Sequence, residues 1–308
     1  MSDPTSTHKV AAVTGGMGGI GQGIVIALTQ RDFDVVVCDR TIDPAIAERM
    51  TTNAAPGARL SFVRNDLADP ADLSRFVDAI FAAFGHIECL VNNAGVSAKS
   101  RGDLLDVSAE SYDLNFAVNT RGAFFLTQAV CKRMLAADGD FPESARSVVF
   151  ISSSNAVIAA PERGEYAMSK AAVAMMAKLF AIRLAPNGTA VYEVRPGLIH
   201  TPMTGVAQAR FDKLLEEGFT PINRWGTPED VGRAVATMAA GELPFTTGAA
   251  IQGRWRNAHP PILNRNLERG THDKNDQHSP KKPVDGTRSK QFRRRRRWQV
   301  PHITSLTQ

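Results

Sequence analysis

The chain has 308 residues, 43% of them hydrophobic, which is enough to bury a large core and too apolar for a generically disordered protein. Its formal charge of +5 is unevenly spread: residues 253–308 hold 14 Lys and Arg against 4 Asp and Glu, whereas residues 1–252 hold 22 against 27. Nucleic acid or an anionic membrane as partner is therefore a reading for the tail alone, and the mildly acidic remainder excludes it.

Three widely spaced cysteines, Cys38, Cys89 and Cys131, form no Cys-x-x-Cys pair, so neither a disulfide framework nor a zinc site is expected and the histidines show no metal-ligand spacing. Residues 1–8 read as a flexible leader with no apolar core region, and no stretch approaches eighteen uninterrupted apolar residues. These features predict a soluble, cytoplasmic protein.

From Val10 onward short apolar runs alternate with longer helical patterns. The predicted strands are 10–13, 34–38, 60–63, 89–92, 147–152, 190–194 and 249–252, mostly β-branched or wholly apolar, as strands are when helices cover both faces of a parallel sheet. The predicted helices are 21–31, 70–84, 112–136, 166–184 and 228–240. For the last, Thr227 is the N-cap, Pro228 the first helical residue, and Asp230 follows three residues after the cap. The pattern is a single α/β domain over 9–252, a doubly wound parallel sheet of Rossmann type with helices on both faces.

The first strand runs into Thr14-Gly15-Gly16-Met17-Gly18-Gly19-Ile20-Gly21 and then an apolar helix. Such a turn is either a tight strand-to-helix connection or a cradle in which backbone approaches a pyrophosphate at a helix N-terminus. Asp39, at the end of the second strand, favours the cradle: its carboxylate suits ribose hydroxyls and repels a 2′-phosphate, so NAD is expected over NADP. Arg40 beside it is either a partner for such a phosphate or a solvated charge.

Tyr166 and Lys170 lie four residues apart within a predicted helix, on one face, where an ammonium can favour the ionised phenol. Alone, the tyrosine would be core and the lysine a surface charge. Together with a serine cluster at 152–154 they point to proton transfer.

These motifs, over roughly residues 9–252, resemble the short-chain dehydrogenase/reductase family. The glycine spacing is Gly-x-x-x-Gly-x-Gly, and Asn92-Asn93-Ala94-Gly95 closes the fourth strand. The resemblance implies that Gly15, Met17, Gly19, Ile20, Gly21, Asp39, Arg40, Asp66, Leu67, Asn93, Ala94, Gly95, Pro196, Ile199 and Thr201, with Tyr166 and Lys170, bind the dinucleotide. It implies a catalytic set of Asn119, Ser153, Tyr166 and Lys170, with Ser153 placed thirteen residues before the tyrosine, and no metal. Tyr166 is then general acid and base, Ser153 holds the substrate oxygen, and Asn119 holds a water leading to Lys170. The implied substrate is a small carbonyl compound or alcohol, either a 3-oxoacyl thioester or a sugar or polyol. Specificity is expected from residues 155–165 and 200–219. The implied assembly is a homodimer or homotetramer through helices 112–136 and 166–184. A cofactor-sensing protein on the same fold is the alternative from another class.

After Gln252 the family pattern stops, and residues 253–308 are rich in Pro, Asn, Arg and His, with five arginines at 293–297. Three readings stand: a polybasic arm for nucleic acid, a solvated disordered tail, or translation out of frame. Codons exist for residues 253–261 that, read one base later, spell Ala-Gly-Gly-Gly-Met-His-Ile-His-Arg, which resembles the ending the family would supply.

Overall fold

The computed structural model describes residues 8–136, 146–205, 208–217 and 222–253. The expectations for the leader and the basic tail therefore lie outside the described residues, apart from His8 and Gly253.

All seven expected strands form: β1 (Lys9–Thr14), β2 (Phe33–Asp39), β3 (Leu60–Arg64), β4 (Cys89–Asn92), β5 (Ser147–Ile151), β6 (Ala190–Arg195) and β7 (Ala250–Gln252). They make one parallel sheet in the order β3-β2-β1-β4-β5-β6-β7. The helices are α1 (Gly19–Thr29), α2 (Pro44–Asn53), α3 (Leu73–Phe84), α4 (Ala109–Phe116), α5 (Ala123–Ala136), α6 (Gly164–Leu184), α7 (Pro202–Gly205), α8 (Gln208–Glu216) and α9 (Pro228–Ala239).

Most strand residues are apolar because successive side chains enter opposite layers and both layers are covered by helices. Val10 and Ala12 join Phe76 and Ile80 of α3, Leu126 and Val130 of α5, and Val173 and Ala177 of α6. Ala11 and Val13 instead join Ile24 and Leu28 of α1 and Val231 and Val235 of α9. Each large aliphatic side chain buried in these layers stabilises the fold by roughly 1.5–3 kcal/mol. Burial also pushes the Cys89 and Cys131 thiols up to about 12, so these cysteines are core residues and not nucleophiles.

Three local differences from the sequence-based expectation have physical causes. Helix α2 buries only Met50, so it carries no hydrophobic periodicity; its signal is Asp43, whose carboxylate accepts from the amides of Ala45 and Ile46 ahead of Pro44. The expected long helix 112–136 is interrupted by a wide π-helical turn, Ala117–Gly122, between α4 and α5. Residues 200–219, from which specificity is expected and to which the sequence reading assigns no helix, contain the short helices α7 and α8, of four and nine residues, too brief for a clear helical period.

Helix α9 begins with the expected capping box: Asp230 N donates to Thr227 Oγ1 at 3.3 Å and Thr227 N donates to Asp230 Oδ2 at 2.9 Å. Hydrogen bonds from Arg224 hold the Asp230 carboxyl far below the usual carboxylate range. This anchoring matters because α9 crosses α1 at bare glycine. A Cβ on Gly232 would lie 2.2 Å from the Gly23 carbonyl oxygen, and one on Gly23 would lie 2.4 Å from that of Pro228. The Gly232→Val variant is expected to lose roughly 1–3 kcal/mol or more of stability, because backbone and not a flexible side chain stands in the way. Urea unfolding checks this; an unchanged midpoint would show that the two helices can part freely.

Candidate active site

The crossover connections leave β1 and β4 in opposite directions, so a crevice opens beyond their C-terminal ends. Thr14 closes β1 and ties the two strand ends together. Its hydroxyl donates to Val91 O at 3.3 Å and accepts from the amides of Asn93 and Ala94, each at 3.1 Å. Asn93 answers by donating from Nδ2 to the carbonyls of Thr14 and Gly15, both at 2.9 Å.

Gly15 takes a φ of +64°, and a Cβ there would lie 2.7 Å from Ala94 Cα. A Cβ on Gly21 would lie 2.0 Å from the Gly15 carbonyl oxygen, so the turn folds tightly onto the start of α1. Asp39 braces it from β2: its carboxylate accepts from Met17 N at 3.1 Å and from Arg40 N at 2.7 Å. The Met17 side chain enters the core layer beneath the sheet, so Met17 gives the site only its backbone, and that amide is already bound by Asp39.

Beyond β4, Asn119 grips the chain. Its Oδ1 accepts from Val96 N at 2.8 Å, and its Nδ2 donates to Val96 O at 3.0 Å and to Ser169 Oγ at 2.9 Å. This two-sided clamp sits on the π-helical turn, whose extra width sets the amide against Val96 and α6. Asn119 is buried behind the cleft wall and not on it. A Cβ on Gly95 would lie 3.1 Å from both Asn119 Oδ1 and Lys170 Nζ, so only a glycine leaves these two groups undisturbed.

Helix α6 carries Tyr166 and Lys170 toward the same cleft. Lys170 is buried; its Nζ donates to Ile151 O at 3.0 Å and lies 5.9 Å from the Tyr166 ring centroid. Burial pushes the ammonium below its ordinary value of 10.5, against the opposing pull of the Tyr166 charge. Among the three serines, Ser152 donates to Glu193 Oε1 at 2.5 Å, and that carboxylate is gripped from the other side by Arg195 Nε and Nη2, each at 2.7 Å. Ser153 Oγ accepts from Asn155 N at 3.1 Å, which leaves its O–H proton without an acceptor among the described residues.

A cleft of about 490 Å³ joins these pieces. Of the expected cofactor residues, Gly15, Gly19, Ile20, Gly21, Asp39, Arg40, Asp66, Leu67, Asn93, Ala94, Gly95, Pro196, Ile199 and Thr201 line it, with Ser153, Tyr166 and Lys170. Met17 and Asn119 do not. Thr14 is the residue sequence reading passed over; it stands in the glycine motif, but its bonds to Asn93 and Ala94 span 79 and 80 positions. Gly253 N donates to Arg195 O at 3.0 Å, which extends the edge pairing of β7 beside the Pro196-Gly197 wall.

The fold and cleft define a nucleotide-binding α/β oxidoreductase, and comparison with known proteins gives the family. The model described as enoyl-(acyl carrier protein) reductase matches residues 15–252. The crystal structure of a 3-oxoacyl-[acyl-carrier protein] reductase from Brucella melitensis in complex with NAD is 44% identical, covering 80% of this chain and 95% of that one, with a TM-score of 0.76. A putative 2-deoxy-d-gluconate 3-dehydrogenase from Agrobacterium tumefaciens with bound NADP is 29% identical, covering 82% and 97%, with a TM-score of 0.70. The 2-(R)-hydroxypropyl-CoM dehydrogenase of Xanthobacter autotrophicus is 33% identical, covering 79% of this chain and 96% of that protein. The chain belongs to the short-chain dehydrogenase/reductase family, whose members are oxidoreductases acting on CH–OH groups.

The buried ammonium makes a pH prediction. Because the Lys170 value is lowered on folding, the native state binds fewer protons than the unfolded chain between that value and 10.5, and stability rises with pH across the window. Lys170→Met removes this contribution. Urea titrations at rising pH up to about 10.5 should show wild type gaining stability relative to the variant. Parallel pH profiles would contradict the lowered value.

Proposed function

We propose that this enzyme interconverts a secondary alcohol and a ketone with NAD as redox partner, Tyr166 acting as general acid and base. The observation that carries this reading is the convergence of Tyr166, Lys170 and Ser153 on the cleft that also contains the Gly15–Gly21 turn.

The residues present fit the dinucleotide. The bare glycine turn leaves room for backbone to approach a pyrophosphate, and Asp39, which lines the cleft beside that turn, would supply a carboxylate acceptor to the adenosine ribose. Asp66 and Leu67 would flank the adenine, with Arg40 beside the ribose. Asn93, Ala94, Gly95 and Lys170 would hold the nicotinamide half, and Pro196, Ile199 and Thr201 its amide. When bound, the nicotinamide supplies or accepts the hydride.

Ser153 then has a free O–H to donate to the substrate oxygen, which orients the carbonyl toward Tyr166. Tyr166 gives its proton to the developing alkoxide in reduction and takes it back in oxidation. Lys170, held by Ile151 O, supplies positive charge on the tyrosine's side of the cleft. The two faces of the Asn119 amide are occupied by Val96 and Ser169, so its role is to place Gly95 against Lys170 more than to offer a group to a ligand. The named relatives support 3-oxoacyl thioesters and sugars as the substrate classes to screen.

Tyr166→Phe keeps the ring and removes one hydroxyl; turnover should fall on the order of 10²–10⁴-fold while NADH binding persists. Absorbance of reduced nicotinamide measures turnover, and wild type should prefer NAD to NADP because of Asp39. Turnover near the wild-type rate in the variant would remove Tyr166 from the mechanism.

The enzyme is also proposed to assemble through α6. Met168, Met175, Leu179 and Ile182 follow one another at helical spacing with 48%, 53%, 56% and 76% of their surface exposed, a stripe that subunit pairing would bury. Ile182→Asp with Leu179→Asp should shift the protein to a smaller species in gel filtration; an unchanged elution volume would place the interface elsewhere. For the tail, the nucleotide sequence around the codon for Gly253 distinguishes an in-frame arm from an out-of-frame product.

A further inference from the structure

Behind the cleft wall runs a row of buried polar side chains. Ser111 and Asn115 of α4 and Asn119 of the π-helical turn recur at every fourth residue, and all three are buried. They hold successive points of the segment that follows Gly95. Asn119 takes both backbone groups of Val96, Asn115 Nδ2 donates to Ser97 O at 3.4 Å, and Ser111 Oγ accepts from Lys99 N at 3.2 Å.

Helix α6 meets this row at its two ends, through Glu165 and Ser169. Ser111 Oγ donates to Glu165 Oε1 at 2.6 Å; Asn119 Nδ2 donates to Ser169 Oγ, which in turn donates to Tyr166 O at 2.8 Å. Each anchor stands one position before a residue of the cleft, Glu165 before Tyr166 and Ser169 before Lys170. Two directional bonds about one helical turn apart fix both the rotation of α6 and its position along its axis, which a single bond leaves free. The apolar packing of Val173, Ala177 and Ala181 further along the helix is less selective, because apolar burial is non-directional. Register matters here: a Cβ on Gly95 would lie only 3.1 Å from Lys170 Nζ.

Glu165 is the costly member of the row. It is 2% exposed, and its Oε2 has no partner among the described residues. A leucine of similar size would pack between α4 and α6 without stripping water from a carboxyl group, so helix packing alone does not account for it. We propose that Glu165, acting through Ser111, is a positioning residue that locks α6 to residues 96–99, so that Lys170 and Gly95 stand in register for the nicotinamide half of the cofactor. This inference rests on the dinucleotide reading above and adds the group that sets its nicotinamide end from behind the wall.

Calorimetry on the full chain tests it by comparing NADH with ADP, which lacks the nicotinamide and its ribose. Glu165→Leu should weaken NADH about tenfold and change ADP by no more than about twofold. Glu165→Gln keeps a carbonyl oxygen for the Ser111 hydroxyl and should hold NADH within about threefold of wild type. Ser111→Ala should act in the same direction as Glu165→Leu and add nothing to it in the double variant, because both break the same bond. A purely structural role would weaken the two ligands together or neither. Equal losses for NADH and ADP, no loss for either, or a glutamine variant as weak as the leucine variant overturns the inference and leaves the proposed function intact. Where Glu165→Leu does not fold, Ser111→Ala carries the same comparison. Wild-type protein that binds neither ligand overturns the proposed function and this inference with it.

Discussion

A parallel sheet wound outward in both directions from its centre parts its connections between β1 and β4, and the opening is shaped by whatever ties those strand ends together. Here the tie is the exchange of hydrogen bonds between Thr14 and the Asn93-Ala94 turn. The rest of the cleft is stacked on it in sequence. Asn93 fixes Gly15; the chain from Asn93 leads to Gly95, which abuts Lys170; Val96 is held by Asn119, and Asn119 by Ser169 of α6. Lys170 reaches from α6 to the end of β5 at Ile151, two residues before Ser153. A disturbance at the first bond therefore passes through backbone and small side chains to every group on the reacting side.

That compactness has an electrostatic cost. An ammonium buried at Lys170 loses hydration that one carbonyl bond to Ile151 only partly replaces, and its depressed proton affinity expresses the loss. Placing a positive charge near a phenol in a dry wall is useful for proton transfer and unfavourable for folding, a common tension at active sites. The core layers on both sides of the sheet hold the arrangement in place, and the glycine crossing of α1 and α9 fixes the helix that begins at the nucleotide turn.

Much of this was legible in the chain because its signals are local. Apolar strand runs, the glycine spacing, the Thr227 capping box and the four-residue step from Tyr166 to Lys170 are each written within a few positions. What escaped had no local mark. Helix α2 buries one side chain and so shows no stripe, and the π-helical turn leaves no pattern distinct from an uninterrupted helix. Met17 lies within the glycine motif but turns its side chain inward, because strand and helix pack on either side of it.

The sequence by itself determined the alternation of strands and helices, the glycine turn and the placing of Tyr166 and Lys170 on one helical face, since steric freedom, periodicity and helical spacing are properties of neighbouring residues. Only the tertiary structure decided that Thr14 is the knot, that Asn119 is a clamp behind the wall, that Ser152 is bound to Glu193 while the Ser153 O–H has no acceptor among the described residues, and that Gly102 is tied to Glu162. Each of these depends on a hydrogen bond or contact between distant segments, and partners separated by tens of residues are chosen by the packing of the whole sheet and not by anything adjacent in the chain.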